Sequence, residues 1–133
     1  MIFVDTSFWI ATVNPRDQRA DDARRLVAAY GAATLVTSNH VRGETWTFLR
    51  RRVGHRGAVL FLDKTMQSPR LRVEFVDEKL EREALRWLRR HDERPYSFVD
   101  ATSFALMKRL RIKEALAFDG DFAAAGFVEL RAA

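Results

Sequence analysis

The sequence predicts an α/β fold built on a mainly parallel, five-stranded sheet, and three observations carry that reading. Short apolar runs alternate with longer amphipathic stretches along the chain, the pattern of strands joined by crossover helices. Gly, Pro, Ser, Asn and Asp stand at the joints, where they end one element and open the next. No linker, internal repeat or low-complexity segment breaks the alternation, so the 133 residues read as one domain spanning 1–133.

The first strand is 2–5, Ile-Phe-Val-Asp. A loop at Asn14-Pro15 leads into a helix over about 16–30, where Ala20, Ala23, Leu26, Val27 and Tyr30 recur at three and four and Gly31 closes the element. Residues 34–37 read as the second strand. Ser38 or Asn39 then caps a helix running to about Val53. Gly54 and Gly57 break the pattern before a helix over about 58–67, and Ser68-Pro69 ends that one.

Residues 71–76 look like a third strand. Asp77 opens a charged helix to about His91 whose apolar face holds Leu80, Ala84, Leu85 or Trp87, and Leu88. After the turn at Arg94-Pro95-Tyr96, Ser97 starts a helix to about Leu110. Residues 115–118 are the fourth strand, 122–125 a helical turn and 127–130 the fifth strand. In such sheets, sites form beyond the carboxyl ends of the strands, where the strand order reverses.

Composition narrows the chemistry. Apolar residues make up 47% and charged residues 31%, the profile of a soluble globular protein. The chain has no cysteine, and His40, His55 and His91 are scattered singly, which argues against disulfides and against a zinc site. No run of roughly 18 apolar residues and no signal-peptide pattern is present, so the expectation is a cytoplasmic protein with no membrane partner. The net charge of +5 comes from 19 Arg and 4 Lys against 18 acids. Arg suits phosphate because its planar fork donates bidentately, so the balance fits a nucleic-acid partner.

Four carboxylates stand where surface charges are seldom put. Asp5 directly follows Ile2-Phe3-Val4, and Asp119 repeats the arrangement after Ala115-Leu116-Ala117-Phe118. If those two strands are parallel neighbours, both acids emerge on one edge of the sheet. Glu44 shares the stripe of Val41, Thr45 and Phe48 that should face the core, where an unpaired carboxylate is costly. Asp100 lies in the helix opened by Ser97, with Ser103 and Phe104 stacked one turn on.

Each acid also has a local reading. Asp5 caps the turn at Thr6-Ser7, Asp100 completes a Ser97-x-x-Asp100 capping box, Glu44 pairs with an Arg, and Asp119 and Asp121 are turn residues around Gly120. Together they say more, because like charges on one edge repel unless a cation holds them. An all-oxygen ligand set suits Mg²⁺ or Mn²⁺, and such a site beside an Arg-rich surface suggests nuclease chemistry.

The motifs Ile2-Phe3-Val4-Asp5-Thr6-Ser7, Asn39-x4-Glu44, 97–104 (Ser-Phe-Val-Asp-Ala-Thr-Ser-Phe) and 117–122 (Ala-Phe-Asp-Gly-Asp-Phe) occur in fixed order and spacing. On them the sequence resembles the PIN-domain ribonucleases, and within them the VapC-type toxins of bacterial toxin–antitoxin pairs. The resemblance implies an α/β/α sandwich on a five-stranded parallel sheet with the third strand at one edge. It also implies a Mg²⁺- or Mn²⁺-dependent endoribonuclease acting on single-stranded RNA regions, a homodimer, and a cognate antitoxin that inhibits it.

Carried over, the acidic quartet is Asp5, Glu44, Asp100 and Asp119. Asp5 and Asp100 would be direct metal ligands, and Glu44 and Asp119 would ligate directly or through water. Asp121 ranks below Asp119, and Thr6 and Ser103 are supporting residues for Asp5 and Asp100. The expected reaction is in-line attack of a metal-bound water, leaving 5′-phosphate and 3′-hydroxyl ends.

The densest basic run, Arg50-Arg51-Arg52 with Arg56 beyond, is the candidate RNA guide, although bases also suit a solvated helix end. Trp9, Trp46 and Trp87 could stack bases or sit at an interface, with core packing the stronger reading for each. Asp119-x-Asp121 after a strand raises a haloacid-dehalogenase-type phosphatase as a rival, but that family carries its Asp pair after the first strand and needs a later catalytic Lys. A stand-alone RNA-processing nuclease and an inactive RNA- or antitoxin-binding module also stay open.

Overall fold

The computed structural model describes residues 1–133. Its elements in chain order are β1 (Ile2–Val4), α1 (Thr6–Val13), α2 (Ala20–Tyr30), β2 (Leu35–Ser38), α3 (Asn39–Arg52), α4 (His55–Gln67), β3 (Leu71–Glu74), α5 (Glu78–Arg90), α6 (Phe98–Leu110), β4 (Glu114–Leu116), α7 (Asp121–Ala124) and β5 (Val128–Glu129). The strands form one sheet of order β3-β2-β1-β4-β5, and every pair is parallel. The sheet is five-stranded with β3 at an edge, as the resemblance implied. From β1 the chain runs outward through β2 to β3 and then returns to β4 on the other side. The order therefore reverses between β1 and β4.

Strand alternation divides the core into two layers. Phe3, Val36, Ala115 and Ala117 face α5, α6 and α7, packing with Leu80, Phe104, Met107 and Phe122. Ile2, Val4 and Leu116 face the opposite way, toward Phe8, Ala11, Ala23 and Leu26 of α1 and α2. A smaller cluster, Ile10, Leu49, Ala58 and Phe61, joins α1, α3 and α4. Trp9, Trp46 and Trp87 are partly buried against these clusters, in line with the packing reading.

The structure corrects several boundaries. Helix α1 was absent from the sequence reading, because Thr6–Val13 is apolar nearly all round and shows no amphipathic period. Helix α2 begins at Ala20 and not Arg16, since Asn14 and Asp17 accept the Arg16 and Arg19 amides and hold that stretch in turns. Its Val27 is half-exposed and off the buried face.

Helix α4 begins at His55 and runs through Gly57. Only Gly54, at φ 115°, breaks the chain there. Gly57 instead permits close packing, because a Cβ there would meet Val53 at 2.6 Å. Strand β3 stops at Glu74, and Val76 N–H donates to Asn39 Oδ1 at 2.8 Å, outside the ladder. On α5, Trp87 turns inward while Leu85 stays exposed.

Candidate active site

Asp5 ends β1 and caps α1. Its Oδ2 accepts from Ser7 N at 3.2 Å and from Ser7 Oγ at 2.8 Å, and its own amide donates to Leu116 O of β4 at 3.0 Å. The residue is 3% exposed. Burial, then the charge of Asp119, raises its carboxyl to about 7, with Ser7 pulling part of the way back and Asp100 adding a smaller push.

Asp100 sits in the first turn of α6, fixed by a reciprocal capping box. Ser97 N donates to its Oδ2 at 2.9 Å, and its amide donates to Ser97 Oγ at 2.9 Å. Burial raises it to about 6, and Asp121 and Asp119 add to the rise against the Ser97 amide. Asp119 follows β4 by three residues. Its Oδ1 accepts the Asp121 amide at 3.2 Å, and desolvation first, then the charges of Asp121 and Glu129, raise it above the ordinary carboxylate range.

The local readings and the convergent one are thus both realised. Every one of these three acids takes part in a cap or turn, and all three gather at the carboxyl end of the sheet near the β1/β4 reversal. One carboxylate oxygen from each of Asp100, Asp119 and Asp121 falls within 4.8 Å of the others. Asp5 lies deeper and beside this trio, felt by its charge. Asp121, ranked low from sequence, belongs to the tightest cluster. It is also held by Arg94, whose Nε lies 2.9 Å from its Oδ1, while Arg94 Nη2 reaches Asp119 O at 3.4 Å.

Glu44 departs from expectation. The buried stripe of α3 is Val41, Thr45 and Leu49, and Glu44 is exposed. At 100° per residue it stands about 100° round the helix from the middle of that stripe. Its partner is no Arg but Thr6, whose Oγ1 donates to Glu44 Oε1 at 2.6 Å and accepts from Thr45 Oγ1 at 3.3 Å. Thr6 therefore orients Glu44, and the neighbouring Ser7 orients Asp5.

Ser103 does not hold Asp100. Its buried Oγ has no hydrogen-bond partner, nor has the Tyr96 hydroxyl. Arg51 and Arg52 line an open groove of about 590 Å³ with Glu44, His40 and Phe48. Arg50 is exposed, and Arg56 lines a different depression with His55 and Asp63.

Ser7 holds Asp5 as the capping reading of Thr6-Ser7 expects, through both its amide and its hydroxyl. Sequence reasoning missed Arg94, which carried no signal because its acid lies 27 positions away along the chain.

The donor set fits a hard divalent cation. It offers oxygen alone, and carboxylates held together with raised proton affinity lack the positive charge their geometry calls for. No helix is long and apolar enough to cross a membrane.

The family model described as PIN domain matches residues 2–128. The 23S rRNA-specific endonuclease VapC20 of Mycobacterium tuberculosis, from strains CDC 1551 / Oshkosh and ATCC 25618 / H37Rv, is 58% identical over 131 residues, covering 98% of each chain. The crystal structure of M. tuberculosis VapC20, described as a sarcin-ricin loop cleaving toxin, superposes with a TM-score of 0.93 at 57% identity, over 98% of this chain and 99% of that one. FitAcB from Neisseria gonorrhoeae matches with a TM-score of 0.67 at 17% identity, over 98% and 96%, a likeness of fold alone.

Proposed function

The chain belongs to the PIN-domain family, among its VapC-type endoribonuclease toxins, and from that premise we propose a Mg²⁺- or Mn²⁺-dependent hydrolysis of ribosomal RNA at the cleft of Asp5, Glu44, Asp100 and Asp119. The observation that carries it is the gathering of Asp100, Asp119 and Asp121 within ligand distance of one another beside the buried Asp5. Identity of 58% across nearly the whole of both chains supports 23S rRNA, and its sarcin-ricin loop, as the substrate class.

In this reading Asp5 and Asp100 would hold the cation directly, with Glu44 and Asp119 direct or through water. Asp121 is held by Arg94 and supports the others. The cation, when bound, would polarise the phosphodiester and promote ionisation of water. Ser7 and Ser97 keep two carboxylates fixed, and Thr6 holds Glu44. Water adds to phosphorus in line with the departing 3′ oxygen, which takes up a proton. The ends left are a 5′-phosphate and a 3′-hydroxyl.

Residues 1–133 would act as one nuclease domain, cytoplasmic and homodimeric, restrained by a cognate antitoxin. Arg51 and Arg52 beside Glu44 are the better placed RNA contacts, with Arg50 and Arg56 more peripheral. The test is cleavage of an RNA hairpin carrying the sarcin-ricin loop, with Mg²⁺ or Mn²⁺, with chelator, and by Asp5→Asn. Cleavage that needs the cation and vanishes in the variant is expected. Equal cleavage by Asp5→Asn, or none by the native protein with either metal, sinks the reading.

A further inference from the structure

Beside the acidic cleft, α3 and the start of α6 enclose the open groove of about 590 Å³ that runs past Glu44. The aromatic residues in it and at its edge are not spent on the core. Phe98 stands at that edge, next to the lining Val99 and two positions before Asp100; it is 38% exposed, and its ring stacks on the lining His40 with centroids 5.6 Å apart and planes 30° apart. Phe48 is likewise exposed, with the Arg52 guanidinium 5.3 Å from its ring centre. Arg51 and Arg52 make the same wall basic.

Gly43 points to the same use from a different direction. It lies inside α3, where glycine weakens a helix relative to alanine, yet a Cβ built there meets nothing within 4 Å. Internal packing thus gives no reason for a missing side chain at this position. It leaves bare backbone on the groove wall, one residue before Glu44.

We propose that this groove is a nucleotide subsite: a base of the RNA strand stacks on Phe98 backed by His40, Arg51 and Arg52 take the adjoining phosphates, and Gly43 lets the strand approach α3 closely. The inference rests on the RNA-nuclease reading and adds where a flanking nucleotide is held. Single exposed aromatics set among arginines suit a base, which has two π faces and an anionic tether, better than they suit a protein partner, which would need a continuous apolar patch. The three tryptophans, turned toward the core, take no part.

The experiment measures kcat and KM on the sarcin-ricin hairpin and on a set of hairpins each lacking one loop base. Phe98→Ala is expected to raise KM about tenfold, the size of one lost base stack. One abasic position should cost the native protein about tenfold and cost Phe98→Ala nothing further, while Phe98→Trp retains activity. Gly43→Ala should melt higher and yet bind RNA more weakly. The Arg51→Ala, Arg52→Ala double variant should flatten the salt dependence of KM.

If the native protein cuts the hairpin while no abasic position couples to Phe98, the subsite falls and the nuclease stands. Gly43→Ala with a raised melting temperature and unchanged KM also overturns it. A Phe98→Ala protein that keeps its KM but changes its mass in solution would make this face a protein interface. No cleavage by any form removes both readings.

Discussion

Ser7 Oγ donates to Asp5 Oδ2 over 2.8 Å and accepts the Phe118 amide over 3.0 Å. One hydroxyl thus ties the buried acid at the end of β1 to the residue just before Asp119. It fixes the separation of two like-charged groups from adjacent parallel strands, and it opposes the rise that burial forces on Asp5.

Ser7→Ala removes both bonds and leaves the Phe118 N–H without its partner, a cost of about 1–3 kcal/mol in stability. Asp5 should then titrate above about 7, moving the acidic limb of the pH–rate profile upward. An unchanged limb beside an unchanged melting temperature would show that the hydroxyl plays no such part.

Asp5 itself opposes folding when ionised. Its carboxyl rises from 3.8 to about 7, so between those values the folded state holds a proton that the unfolded chain has released. Its stabilising contribution is complete below about pH 4 and is lost as pH climbs through 7. Asp100, raised to about 6, acts in the same direction. The Asp5 shift corresponds to at most roughly 4 kcal/mol. Metal-free Asp5→Asn should therefore melt above the native protein at pH 8, with the gap closing toward pH 4.5, although it cleaves nothing. Calorimetry in chelator at several pH values checks this, and a gap that widens toward acid refutes it.

The fold was legible where residues obey one period. Amphipathic α5 and the short apolar strands announced themselves, whereas α1 did not, because a helix apolar on nearly every side has no stripe to read. The position of Asp5 and Asp119 after apolar strands could be read because parallel neighbours bring equivalent ends together, and β1 and β4 do pair that way. What escaped was long-range. Glu44 was assigned to the core stripe because a shift of one turn edge is invisible until Thr6 is seen to hold it. The capture of Asp121 by Arg94 depends on how the loop after α5 closes over the sheet, and no local spacing encodes that.

Phe122 links core and cleft. It is fully buried, with ring centroids 6.0 Å from Phe3 and 5.0 Å from Phe104, and it directly follows Asp121. Phe122→Ala should cost about 3–5 kcal/mol. Below its lowered melting temperature it should also lose activity, since α7 carries Asp121. Full activity at 20 °C with the expected loss of stability would separate packing from the site.

Arg94 offers the sharpest test of how the acids share charge. The guanidinium neutralises Asp121, one of the three acids whose oxygens converge within 4.8 Å, and so blunts repulsion inside the cluster. It also sets a positive charge beside the place a divalent cation would occupy. Arg94→Ala removes both effects. Without metal, Asp100 and Asp119 feel the whole charge of Asp121 and hold their protons to higher pH. The pair is partly exposed and screened by solvent, so the change in stability should be small. With metal the sign reverses, because Asp121 is released to the cation and the competing charge is gone. Titration calorimetry at pH 8 should show Mn²⁺ binding several-fold tighter to Arg94→Ala, with Arg94→Lys between the two. Equal affinity in all three proteins would mean that Arg94 only packs the loop and that Asp121 stands outside the cation's reach.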